Sequence, residues 1–134
     1  MSLKAFIARE WWETPDEEDK PEIPDPQRAK FLMRIPDASG VAVLENEGNF
    51  ITAGPMGEKV MKMASGTVAL LALRVGLRGW LNITDENGQQ KKFSPIEDGL
   101  CPLENIEAIR PALRNELASK FLKKLRLSEE DVKN

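Results

Sequence analysis

The chain contains no histidine and only one cysteine, Cys101. Without imidazole it lacks the commonest general base and the commonest ligand for zinc or copper, so most hydrolytic and redox mechanisms lose their usual parts. A single thiol cannot close an intramolecular disulfide, and a reducing compartment such as the cytoplasm is the simplest setting. Long apolar runs are missing as well. The longest strongly apolar stretch, Thr67 to Leu73, falls far short of the ~20 residues that span a bilayer. Near the N-terminus Lys4, Arg9 and Glu10 surround only the short stretch Ala5 to Ala8, so a secretory signal lacks its apolar segment. The net charge of −3 is too small to imply a general preference for polyanions or acidic membranes. No nucleophile stands in a recognisable motif and no glycine-rich phosphate cradle occurs, which points to a protein that is not an enzyme and has no cofactor.

What is present suits one globular domain. Of 134 residues, 41% are hydrophobic and 31% charged, enough apolar surface for a single core and enough charge for a solvated exterior. Leu3 to Trp12 and Lys30 to Ile35 read as two short strands, the second alternating through Phe31, Met33 and Ile35. Between them Thr14 to Pro26 mixes four prolines with six acids, which predicts a mobile acidic loop across an antiparallel hairpin. Asp37 or Ser39 is positioned to cap a short helix to about Asn46, and Glu47 to Gly57 reads as a loop. Glu58 to Leu77 is predicted as the central helix, apolar on more than one side, with Gly66 marking a close approach of another backbone. Asp85-Glu86-Asn87-Gly88 is a turn, Leu103 to Ile109 two helical turns, and Pro111 to Leu127 a helix with Leu113, Leu117, Phe121 and Leu125 on one stripe. Ser128, followed by Glu129, Glu130 and Asp131, has the form of a new helix start.

These elements predict a mainly α fold: a small helical domain with a short N-terminal β-hairpin as its minor β component. Residues 1–36 supply the strands and the acidic loop packed on the same domain. Residues 37–134 supply the helical core and the C-terminal helix.

The acids of the N-terminal loop fit no calcium-binding frame, and Asp85, Asn87 and Gly88 lack the closing glutamate, so no metal site is expected. Arg110, Arg114, Lys120, Lys123, Lys124 and Arg126 make the last helix basic, with Glu116 as the acid among them. Cations near a helix C-terminus suit the dipole, and neither a helix-turn-helix pattern nor an aromatic platform accompanies them, so nucleic acid is disfavoured as a partner. An acidic protein surface fits better, the acidic loop of a neighbouring copy among the candidates. Met56, Met61 and Met63 are adaptable apolar side chains near the predicted central helix, and Trp11 and Trp12 point to opposite faces of a strand, so one of them is exposed or lies in an interface. The protein-binding candidates are therefore Trp11, Trp12, Met61, Met63, Lys120, Lys123, Lys124 and Arg126.

The last half of the chain carries an order of motifs: Leu73-Arg74-Val75-Gly76-Leu77-Arg78-Gly79-Trp80, Asp85-Glu86-Asn87-Gly88, Phe93-Ser94, the Pro111 helix with Asn115-Glu116-Leu117, Leu127-Ser128-Glu129-Glu130-Asp131, and Lys133-Asn134. In this it resembles the tail assembly chaperones of long-tailed bacteriophages. The resemblance implies a small helical, self-associating protein of the host bacterial cytoplasm, absent from the mature virion. Such a protein coats the tape-measure protein until tail-tube subunits polymerise around it, and many also exist as a longer product of translational frameshifting, which a helix start at Ser128 would suit. The alternatives are a head-tail connector of a phage and a small DNA-binding regulator.

Overall fold

The structure is a computed structural model that describes residues 9–36, 51–53, 59–61 and 66–133, with the side chains of 51–53, 59–61, 67 and 126–133 outside the description. Strand β1 (Glu10–Glu13) and strand β2 (Lys30–Arg34) pair antiparallel, Trp11 opposite Met33 and Trp12 opposite Leu32. Strands β3 (Ile51–Ala53) and β4 (Lys59–Met61) form a separate two-stranded antiparallel pair. Helix α1 (Gly66–Gly76) runs directly into strand β5 (Leu77–Leu81), which pairs antiparallel with the other side of β2 and closes a sheet of order β1-β2-β5. Helices α2 (Leu103–Glu107) and α3 (Pro111–Lys133) complete the order.

The mainly α expectation is therefore corrected to α+β: 38% of the described residues are helical and 21% lie in strands, with the three-stranded sheet at the centre. Two segments account for the difference. Leu77–Leu81 continues the apolar run of α1, but Gly76 and Gly79 weaken helix there, and Leu77 and Trp80 each gain a buried place opposite Met33 and Phe31 on β2. Lys59–Met61, read as the first turn of a long helix, is strand β4, so the helix begins at Gly66. The short helix near Asn46, residues 3–8 of the first strand and Met63 lie outside the described residues.

One face of the sheet packs on the helices. Phe31, Met33 and Ile35 meet Ala69, Ala72, Leu73 and Val75 of α1 and Leu117, Phe121 and Leu125 of α3 in one buried cluster. A Cβ added at Gly66 would meet nothing within 4 Å among the described residues, whereas one added at Gly76 would lie 2.8 Å from the Phe121 ring, so the close approach seen is at Gly76. Helix α3 does not restart at Ser128. It runs through to Lys133, because a polar cap residue inside an already nucleated helix extends it at less cost than a new nucleus requires.

Short polar contacts fix the connections. Trp80 donates its indole N–H to the Lys91 carbonyl at 2.7 Å and meets Phe93 edge-on at 4.9 Å. The Asp85 carboxylate accepts the amides of Asn87 and Gln89, and Gly88 takes the positive φ of +79° that the turn requires. Asn105, only 2% exposed, accepts the Ser94 amide at 2.8 Å and donates to the Ser94 carbonyl at 2.9 Å, standing in for a strand neighbour.

Candidate functional site

Alternation along the sheet sends every second side chain away from the helices. Register then places Trp12 of β1 beside Leu32 of β2, Leu32 beside Gly79 of β5, and Leu81 beside Lys30. The result, on the face away from the core, is Trp12 beside Leu32 with Leu81 diagonal to Leu32 on the third strand. Trp12 is 46% exposed and Leu81 49%, and Gly79 leaves a dip beside the Leu32 side chain. Three strands spaced by about 4.8 Å make a face roughly 10 Å wide, the diameter of one helix with its side chains. Charge rims this face. Lys30 bridges Asp25 at 2.9 Å, and its hydrogen bond holds the Asp25 carboxyl below the usual range; Glu10 and Arg34 sit opposite each other at the far end.

The second charged region is where the acidic loop meets α3. Pro15 is buried, the Asp16 amide donates to Glu116 Oε2 at 3.0 Å, and Lys120 donates to Asp16 Oδ1 at 2.9 Å and to the Thr14 carbonyl at 3.3 Å. Glu17 pairs with Arg110. Within the loop, Arg28 donates to the carbonyls of Ile23 and Lys20 and pairs with Asp19, while Asn82 donates to the carbonyls of Pro26 and Arg28. The loop read as mobile from its composition is thus a strap tied at both ends, because prolines limit its unfolded freedom and its acids meet cations about a hundred residues away. Asp16 and Glu17 find cations within the same chain.

Burial of Lys120 disfavours its ammonium, and the hydrogen bonds to Asp16 and Glu116 outweigh that, so its pKa is raised. A raised folded pKa contributes stability that is complete below the unfolded value of about 10.4 and is lost as pH climbs through the folded one. Lys120→Met is expected to cost under about 1 kcal/mol at neutral pH. In urea melts, its deficit against wild type should narrow in strongly alkaline solution; a deficit that widens there would contradict the pairing.

The structure gathers the sequence-predicted residues unevenly. Trp11 faces inward, half-buried and stacked on Phe121 at 6.5 Å, with Lys124 5.6 Å above its ring. Trp12 faces outward, Lys120 lies under the strap, and Lys123 is exposed on α3. Arg126 lies in α3 with its side chain outside the description, and Met61 lies in β4 rather than on a helix. No family model, curated protein or solved structure matches the chain. Sequence reasoning missed Leu32 and Leu81 as surface partners of Trp12. The signal was present for Leu32, which alternates with Phe31 and Met33, whereas Leu81 required knowing that 77–81 is a strand.

Among the described residues no group of three His, Cys, Asp or Glu side chains is placed to hold a metal ion, and no helix is long and apolar enough to cross a membrane. Cys101, just ahead of α2, is buried, its amide donating to the carbonyl of Arg74 in α1 at 2.7 Å. Burial pushes its thiol up, against the hydrogen bond from Asn105 and the fields of Arg78 and Arg74. A buried, protonated thiol reacts slowly. Ellman's reagent should therefore label Cys101 at neutral pH only as fast as the protein unfolds; full labelling within the mixing time would contradict its burial.

Proposed function

We propose that this chain is a non-enzymatic tail assembly chaperone of a long-tailed phage, and that it shields apolar helical stretches of the tape-measure protein before tail-tube subunits assemble. The observation that carries the reading is the outward face of the sheet: Trp12 stands beside Leu32, and Leu81 lies diagonally from Leu32, opposite Lys30, on a face about one helix wide with charge at its rim. A single exposed leucine needs no explanation, but an exposed tryptophan and an exposed leucine flanking Leu32 on one sheet face suit a partner with an apolar stripe. The motif order through the last half of the chain supports the same role. The chaperone acts in the host cytoplasm and leaves before the particle is finished.

Co-expression with the tape-measure protein of the same phage tests this. Wild-type chain should keep that protein in the soluble fraction, and W12E/L81E should lose the effect while keeping its thermal midpoint, since both side chains are surface positions. Tape-measure solubility that is the same with and without this chain would overturn the role. W12E/L81E that keeps the tape-measure protein as soluble as wild type does would overturn the face.

A further inference from the structure

We propose that the outer side of β1 takes up an extended segment of another protein as a fourth strand, a segment in which lysine or arginine brackets an apolar residue. This edge binds through backbone groups, and its role does not depend on the chaperone reading. In the sheet order β1-β2-β5, two strands lie at the outside. The chain after β5 returns to that strand: Arg78 donates to the Gly99 carbonyl and the Trp80 indole to the Lys91 carbonyl. Among the described residues no strand pairs with the outer side of β1. Edges are ordinarily blunted by proline, lysine or a bulge, and Glu10-Trp11-Trp12-Glu13 has none of these, its register with β2 running unbroken.

The alternation of an antiparallel ladder decides which backbone groups point outward. The Ile35 amide donates to the Arg9 carbonyl at 2.9 Å, so Arg9, Trp11 and Glu13 turn their amides and carbonyls to β2. Glu10 and Trp12 turn theirs the other way. Thr14, next in that series, shows what this edge accepts: its carbonyl takes the Lys120 ammonium at 3.3 Å. Earlier in the series, Trp12 and Glu10 each offer an added strand one donor and one acceptor. Side chains then set the partner's chemistry. Trp12 is 46% exposed and suits an apolar neighbour, while Glu10 and Glu13 form no ion pair among the described residues. An antiparallel strand with its apolar residue opposite Trp12 places its preceding residue opposite Glu13 and its second following residue opposite Glu10. The order cation, apolar, any residue, cation therefore answers all three. An acidic segment meets like charge at both glutamates, so the edge selects as well as binds.

A short end-blocked peptide with lysine, valine, threonine and lysine in that order tests the proposal against the full-length chain by amide NMR. Before peptide is added, the Glu10 and Trp12 amides should exchange with solvent about tenfold or more faster than those of Trp11 and Glu13. Peptide should shift the Glu10 and Trp12 amides, slow their exchange, and bind at low salt with a dissociation constant of about 1 mM or tighter. N-methylation of the valine, whose amide faces β1, should weaken binding about tenfold or more, whereas N-methylation of the threonine, whose amide points away, should leave it within about twofold. These changes leave the protein untouched, so misfolding cannot imitate them. E10Q/E13Q should weaken binding about threefold or more and remove most of its salt dependence. Equal protection of all four β1 amides in the free protein would mean that this chain or a second copy already occupies the edge, and would overturn the proposal. So would a peptide that binds equally well whichever amide is methylated, or one that shifts no β1 amide at about 1 mM.

Discussion

Phe121→Ala is expected to cost about 3–5 kcal/mol, the range for deleting a fully buried ring, and to lower the thermal midpoint by roughly 10–20 °C. Its ring is wholly buried, lies against Gly76 at the end of α1, and stacks on Trp11 of β1. One side chain thus joins both helices to the sheet edge. The contact with Gly76 makes the effect testable beyond its size. Gly76→Ala alone should cost about 1–3 kcal/mol, because its methyl would press 2.8 Å from a ring with no room to withdraw, even though alanine is the better helix former. In the Phe121→Ala background the same methyl fills vacated space. Combining the two should therefore cost less than their sum, by 1 kcal/mol or so, as coupled neighbours do. Gly66→Ala, with no described atom within 4 Å of the added methyl, should stay within about 0.5 kcal/mol of wild type. Strict additivity of Gly76→Ala and Phe121→Ala in urea melts would show that the two do not touch.

Asn105→Asp should be nearly as damaging, at about 3 kcal/mol or more at neutral pH, despite the near-identical shape. The amide serves as acceptor for the Ser94 amide and as donor to the Ser94 carbonyl, with Cys101 Sγ as a further acceptor at 3.6 Å. Aspartate keeps the acceptor and replaces the donor with a second oxygen facing a carbonyl. Burial raises the pKa of the introduced carboxyl above its unfolded value of about 3.9, so the protonated form, which can still donate, is favoured in the folded state. The deficit against wild type is then smallest below about pH 4 and grows as pH rises through the folded pKa. Denaturant midpoints of both proteins at acid and neutral pH give that difference directly. A deficit independent of pH would mean that the lost bond, not the buried charge, sets the cost.

The sequence makes some of these features legible and hides others for physical reasons. The β1–β2 hairpin, the Asp85 turn and the stripe of α3 follow from local pattern: alternation in one case, side chain–backbone bonding in the second, a four-residue interval in the third. Strand β5 does not, because Leu77–Leu81 has no alternation of its own and becomes a strand only when β2 offers it a partner. The strap was equally hidden. Its acids and prolines predict disorder when read alone, and their partners Arg110 and Lys120 lie in another element altogether. For the candidate site, the opposed faces of Trp11 and Trp12 come from strand geometry alone, while the grouping of Trp12 with Leu32 and Leu81 exists only once two strands distant in sequence are aligned.

Helix α1 passes into β5 with no connecting residue between Gly76 and Leu77. Short sheets are prone to slide by one residue and turn their apolar side chains to water. Here β5 cannot slide along β2 without dragging α1 across the core, so the seat of the helix sets the strand's alignment. The order of Trp12, Leu32 and Leu81 on the outward face is therefore anchored from the opposite side of the sheet.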